Sequence, residues 1–516
     1  MNKGVNAIIF TDCVSHGVVW QRSAGAYRIA TEMRRLGFTV QVVDFWSFMV
    51  LEGSDIVESL LNKFVGTDTL FVGFSTTFMN TSNYVAHNKG FFKSVRSYNQ
   101  MHRGGNAFAT DIDLLQKIKR HIQEINPKCD IVTGGVRSSE RDPIGTIRVI
   151  GYGEIHVIDY LKWKTGKNPL YSPRIDNGVR VLDYNSKADG FDFASSTIDW
   201  HPSDCIQPNE TLPIEVSRGC IFRCKFCSFP LNGKSKIDYL KETDILRAEF
   251  QRNYDLYGTT RYIFADDTYN DTTAKLEWMN EVRKGLSFNL QFGTYVRLDL
   301  IAAHKEQGQL LLENGMCAAF FGIESLNTAA ARSIGKGMPS EKIVDTLHWL
   351  REEVWGHKVL TTGGTILGLP HDTYDTMSAW MERLIDHRFP LHSFEFAPLG
   401  ITNKATLKRT FYSEFDNDPG KFGYTLPDDG RWVNDRYGTS FDGCNELGFK
   451  AHTYAMETGR LNFSSHVVVS IMDYGYTNEQ MILISRKGGM VNSPLYSQVY
   501  GRYIKYITEI FELETP

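Results

Sequence analysis

Three cysteines fall within eight positions, Cys220, Cys224 and Cys227, directly after the stretch PIEVSRG at residues 213–219. So dense a run of thiols constrains the chain around it, because one loop must bring all three sulfurs together. Structural zinc takes four ligands, usually from two pairs, and no second pair is present. A disulfide framework fits worse. Eight cysteines in 516 residues is sparse, and no N-terminal stretch reads as a signal peptide. Cys13, Cys129, Cys205, Cys317 and Cys444 are isolated and read as small buried hydrophobes. Iron–sulfur clusters, in contrast, are held by thiolates, one per iron. Three thiolates on a four-iron cubane leave one iron open to a small molecule.

On either side of this motif the chain alternates between strand and helix. Before it, strands read at residues 6–12 (NAIIFTD), 39–45 (TVQVVDF), 69–76 (TLFVGFST), 130–135 (DIVTGG) and 148–151 (RVIG). Helices read at 23–36, 56–64, 111–125 and 155–163, with Gly37 and Pro127 as stops. This alternation predicts an α/β fold with a doubly wound parallel sheet. Ligands of such sheets bind at the carboxyl ends of the strands. That edge selects residues 12–17, Ser75 and Thr76, and Gly134 and Gly135. Residues 164–212 mix Pro, Asp, Asn and Ser with little period and read as an irregular linker. Six further strands follow, at 213–219, 261–267, 291–298, 316–325, 359–369 and 392–399. They alternate with helices at 240–257, 272–284, 301–314, 340–354 and 374–386. After 401 the pattern weakens, with helices at 445–460 and 498–513. The expected domains are residues 1–165, a linker at 166–212, residues 213–400, and a mainly helical C-terminal region at 401–516.

Composition removes some classes of function. A net charge of −4 gives no global reason to expect nucleic acid. No apolar run approaches the roughly 18–20 residues that span a bilayer. The 13% aromatic content suits an apolar cofactor cavity, and core packing accounts for it equally well. Residues 80–108 form a long basic and aromatic excursion, including Lys89, Phe91, Phe92, Lys93 and Arg96. A stretch of this kind covers a cofactor, meets an anionic substrate, or is simply solvated.

The cysteine spacing, with Phe226 just before the third thiol, resembles the signature of the radical S-adenosylmethionine (SAM) superfamily. The resemblance implies a partial (β/α)6 barrel at 213–400 and a [4Fe-4S] cluster on Cys220, Cys224 and Cys227. It implies SAM at the open iron, reductively cleaved to a 5′-deoxyadenosyl radical. Phe226 is then expected near the adenine, and Glu324 and Ser325 of GIES at the polar parts of SAM. Residues 364–370, with Gly368, are expected along the adenosine. Asp266 and Asp267 are expected at the SAM amino group or the substrate, and Arg297 at the SAM carboxylate. The charged members of this set read equally well as rim ion pairs of a barrel.

Ser75 and Thr76, the pair Gly134-Gly135, GAYRIA at 25–30 and GYGE at 151–154 resemble the N-terminal domain of cobalamin-dependent radical SAM enzymes. There the hydroxyls and the glycine backbone receive the nucleotide tail, which implies cobalamin as a third cofactor. The cobalt-ligating pattern D-x-H-x-x-G is absent. Asp12 is followed by His16 two positions too late, so no histidine is expected below cobalt. The implied activity is a methyltransferase moving methyl from methylcobalamin to an unactivated carbon or to phosphorus. Other radical rearrangements or cyclisations are the alternatives within the family. A methylthiotransferase carries three cluster cysteines in its N-terminal domain, and residues 1–165 hold only Cys13 and Cys129. A cluster-bearing sensor has no need of GIES or of residues 364–370. No auxiliary cluster is expected at the lone Cys444. The expected partners are a small-molecule or peptide substrate and a reductant such as flavodoxin or ferredoxin, in the cytoplasm, with no membrane and no nucleic acid.

Overall fold

The first parallel sheet is set by five short apolar strands: β1 (Ala7–Phe10), β2 (Val40–Val43), β3 (Phe71–Ser75), β4 (Asp130–Gly134) and β5 (Ile147–Ile150). The computed structural model describes residues 2–515, apart from 13, 16–18, 77–79, 82–108, 136–143, 168–173, 177, 184–190, 230–238, 405–411, 429, 459–468, 478–479 and 481–493. His16, Cys13 and nearly all of the 80–108 excursion therefore lie outside the described residues. The five strands run parallel in the order β2-β1-β3-β4-β5. Every residue of β1 and β2 is buried, as in a sheet covered on both faces.

The two faces separate residue by residue. Ala7 and Ile9 join a core with α1 (Ala24–Arg35) and α2 (Gly153–Lys164). Ile8 and Phe10 join a second core with the helices Asp55–Phe64 and Ile112–Ile125. The strand period of two makes this division. The progression of strands reverses between β1 and β3, which is where ligands enter such sheets.

The stretch read as linker is partly strand. β6 (Arg174–Asp176) and β7 (Val179–Asp183) extend this sheet, β7 parallel to β5 and β6 antiparallel at the edge. β6 is short and exposed, and β7 buries only Val181 and Leu182, so no long apolar run marks either.

The second sheet holds β8 (Leu212–Ile214), β9 (Arg261–Phe264), β10 (Gln291–Val296), β11 (Met316–Glu324), β12 (Leu360–Leu367) and β13 (Ser393–Pro398). All six are parallel and in chain order, with helices between them: an open, partial (β/α)6 barrel. β8 is shorter than the sequence predicts. The Asp266 carboxylate accepts from the Val216 and Ser217 amides at 2.9 and 3.2 Å, which draws the chain off the sheet after Ile214.

The C-terminal region divides. The helix α3 (Phe441–Glu457) lies against β13, with the His452 ring 5.4 Å from that of Phe396. The last helix, α4 (Pro494–Glu512), leaves the barrel and joins the second core of the first sheet. The rings of its Tyr503 and Tyr506 lie 5.5 and 5.2 Å from that of Phe45. α4 joins the first sheet because its aromatic stripe completes a core begun by residues 45–64.

Candidate active site

The cysteine loop begins where β8 ends. Gly219 adopts φ +91°, a left-handed conformation that favours glycine and turns the chain into the loop. Cys220 is buried, and Cys224 and Cys227 are half-buried. The Phe222 amide donates to Cys220 Sγ at 3.5 Å, and the Cys220 thiol lies 3.4 Å from Thr268 Oγ1. Burial pushes the Cys220 thiol up. Among the described residues, no three His, Cys, Asp or Glu side chains converge tightly enough to hold a single metal ion. A cubane asks for something else, since each thiolate binds its own iron and the sulfurs stand apart. Three thiols carried on one loop at a strand end fit that requirement.

Arg297, just after β10, fixes the loop. Its Nη1 donates to Cys224 Sγ at 3.4 Å, and its guanidinium carbon lies 3.8 Å from the centre of the Phe222 ring. Nη2 pairs with Asp299 Oδ2 at 2.6 Å. In this geometry the fork expected at the SAM carboxylate is engaged by Asp299 and by the loop.

The other barrel-end residues have protein partners too. Asp266 is fully buried and takes Lys275 Nζ at 3.2 Å, besides Val216 and Ser217. It holds the chain ahead of the cysteines and does not face an open space. Glu324 sits at φ +65° and pairs with Lys336 at 2.7 Å. Ser325 lies between Asn327 and Asp372. Gly368, at φ +81°, has no room for a Cβ, which would fall 2.3 Å from the Trp432 ring and 2.8 Å from Cys444 Sγ. Close packing with the C-terminal region requires that glycine. Phe226 packs half-buried against the main core.

A cavity of about 360 Å³ joins the two sheets. One wall is the carboxyl edge of the first sheet, with Ser75, Gly134, Gly135 and the α2 N-terminus. The other is the barrel, with Glu215, Ser217, Gly219 and Asp267. Of the residues selected from sequence it brings together Ser75, Gly134, Gly135 and Asp267. Thr76 is not on the wall; its hydroxyl and amide both donate to the Gly134 carbonyl, at 2.8 and 2.7 Å. Several glycines keep the cradle open. Gly135 and Gly151 adopt φ +108° and +99°, and a Cβ on Gly153 would strike Ile29 at 2.7 Å. Burial, and then the neighbouring Asp266 and Glu215, push the Asp267 carboxyl up to about 7.

Sequence reasoning missed the charges that seam this cavity. Arg218 Nη2 pairs with Glu154 Oε1 at 2.7 Å and Glu215 Oε1 at 2.9 Å. Its guanidinium lies 4.2 Å from the Tyr152 ring centre and 4.8 Å from that of Phe193. Burial alone would raise the Glu215 carboxyl, but Arg218 and Arg28 hold it well below the usual range. The signal was in plain view: an arginine beside the cysteine motif and a glutamate inside GYGE.

Residues 214–384 match the radical SAM superfamily. The chain is 28% identical over 183 residues to the hopanoid C-2 methylase of Rhodopseudomonas palustris (strain TIE-1), which covers 34% of each. It is 23% identical over 194 residues to the bacteriochlorophyllide d C-12(1)-methyltransferase of Chlorobaculum tepidum, covering 36% of this chain and 40% of that one. The matches thus span between a third and two fifths of these relatives. In structure, the chain resembles the radical SAM methyltransferase TsrM of Kitasatospora setae with cobalamin and a [4Fe-4S] cluster bound. That match has TM-score 0.58 and 13% identity, over 94% of this chain and 99% of that one. It also resembles the cobalamin-dependent SAM radical enzyme OxsB with aqua-cobalamin and SAM bound, with TM-score 0.54 and 12% identity, over 99% and 76%. The chain therefore carries a radical SAM domain at residues 214–384, set within the fold of the cobalamin-dependent radical SAM enzymes.

Proposed function

We propose that this protein is a cobalamin-dependent radical SAM enzyme that methylates an unactivated carbon of a small-molecule or peptide substrate. The observation that carries the reading is the cavity shared by a glycine-lined sheet edge and residues 215–219, which lead into the cysteine loop. Cys220, Cys224 and Cys227 would hold a [4Fe-4S] cluster, and Ser75, Gly134, Gly135 and the α2 N-terminus would receive the corrinoid. These cofactors supply radical generation and methyl carriage when bound. The chain's own residues do the placing. Arg297 and Phe222 hold the cysteine loop, Asp266 and Lys275 anchor its root, and Arg218 ties that loop to α2 through Glu154. SAM would lie at the barrel end beside Phe226, where Lys336 holds Glu324, Asn327 and Asp372 hold Ser325, and Gly368 packs against Trp432. A flavodoxin or ferredoxin in the cytoplasm would supply electrons. No described helix is long and apolar enough to cross a membrane.

Anaerobic reconstitution tests the reading. The expected outcome is about four irons per chain, as the cubane requires, one tightly held cobalamin, and formation of 5′-deoxyadenosine and S-adenosylhomocysteine from SAM. Release of 5′-deoxyadenosine with no S-adenosylhomocysteine would move the assignment to a radical rearrangement or cyclisation. Release of neither would leave no radical SAM activity to assign.

A further inference from the structure

Arg28 sits on α1, lines the cavity and is 1% exposed. Its Nη2 donates to Glu215 Oε2 at 3.1 Å. Its Nε and Nη1 have no hydrogen-bond partner among the described residues. Buried polar groups almost always find a partner, and leaving a charged one unmade carries its full desolvation penalty. The nearby acceptors are engaged elsewhere. Glu154 is taken by Arg218, and Glu215 is shared between Arg218 and Arg28. A Cβ on Gly25, three residues earlier on the same cavity wall, would meet nothing within 4 Å, so this wall has room for a ligand group one helical turn from Arg28.

We infer that Arg28 is a ligand-binding residue of this cavity, donating through Nε and Nη1 to neutral carbonyl oxygens of the ligand. Resting on the cobalamin reading above, those oxygens belong to the side-chain amides of the corrin ring. Charge selects a neutral acceptor over the phosphodiester of the nucleotide tail. Arg28 and Arg218 already face the carboxylates of Glu154 and Glu215, with Asp267 on the same wall. A further anion would meet those carboxylates without an unpaired cation to balance it. The flat guanidinium fork offers two N–H groups at fixed spacing, which an ammonium does not.

The test is corrinoid binding to the reconstituted protein, measured by equilibrium dialysis with cobalamin and with cobinamide. Cobinamide keeps the ring amides and lacks the nucleotide phosphate. Arg28→Met is expected to weaken both by the same factor, about tenfold to a hundredfold, which is the effect of losing hydrogen bonds to a charged group. Arg28→Lys, which keeps the charge, is expected to fall between Arg28→Met and the parent. Thermal midpoints run beside the binding curves, and Arg28→Lys carries the test if Arg28→Met misfolds. Parent-like binding by either variant overturns the inference and leaves the cobalamin reading standing. Loss of cobalamin affinity with cobinamide affinity unchanged also overturns it, because Arg28 would then serve the phosphate. A parent chain that binds neither corrinoid overturns the cobalamin reading and this inference with it.

Discussion

The barrel holds Cys224 from outside the loop through Arg297 Nη1 at 3.4 Å. A cubane with one of three thiolates removed loses an iron ligand that nothing nearby replaces, since no other cysteine lies on the loop. Cys224→Ala is therefore expected to abolish 5′-deoxyadenosine formation and to lower the iron content below the parent's, as read by chromatography and iron assay. Parent-rate release would remove the cluster assignment. Asp267 makes a different kind of prediction. Its folded pKa, about 7, lies above the ordinary carboxylate value, so the folded chain holds this proton more tightly than the unfolded chain does. The associated stability is complete at low pH and is lost as pH rises through 7. Asp267→Asn, which cannot ionise, should gain in thermal midpoint relative to the parent between pH 6 and pH 8. A gap that stays constant over that range would mean that Asp267 is already ionised in the folded protein.

At the scale of elements, α4 closes a core that its own neighbours in sequence do not need. Tyr503 and Tyr506 are fully buried against Phe45 and Phe48, and the Tyr506 hydroxyl accepts from the Asp44 amide at 3.0 Å. Truncating a buried aromatic removes its transfer free energy and leaves a cavity. Tyr503→Ala should cost about 3 kcal/mol, at the lower end for such truncations. A urea titration that follows first-sheet unfolding checks this. A shift confined to the barrel would place the helix elsewhere. α1 and α2 do the opposite work. They pack on the other face, where Gly153 lets α2 approach Ile29 of α1 and Gly25 leaves the α1 N-terminal turn open to the cavity.

At the scale of the molecule, buried arginines fasten the sheets together, and Arg22 and Arg218 among them differ in what else they touch. Arg22 is fully buried. It bonds Glu210, Asp44, the Tyr27 hydroxyl and the Asp204 and Cys205 carbonyls, none of which lines the cavity. Arg218 bonds Glu154 and Glu215 on the wall itself. Removing one partner of a buried pair costs about 3–5 kcal/mol, because it strands the other charge. Arg22→Met and Arg218→Met should both lower the denaturation midpoint by that order. Only Arg218→Met is expected to reduce corrinoid affinity in dialysis of the folded protein. Equal affinity losses in the two variants would show that the cavity depends on general stability and not on the Glu154–Arg218–Glu215 seam.

Much of this was legible in the sequence. The apolar runs NAIIFTD, TVQVVDF and TLFVGFST are strands because both of their faces are buried, and a continuous hydrophobic run is the mark of that state. The cysteine spacing located the loop and its place at the end of the first barrel strand. Local pattern failed where the cause was not local. β6 is an exposed edge strand, and β7 takes its pairing from β5 on one side and β6 on the other, so their own residues do little to mark them. Asp266 and Gly368 stand at the positions expected of ligand contacts. Tertiary neighbours give them other work, Asp266 through Val216, Ser217 and Lys275, and Gly368 through Trp432 and Cys444. The Arg28–Glu215–Arg218–Glu154 chain of charges joins residues up to 187 positions apart in sequence, as in the Arg28–Glu215 bond. Periodicity and motif spacing report what a residue needs from its near neighbours. Which distant surface meets that need is decided only when the two sheets close on each other and desolvate the charges between them.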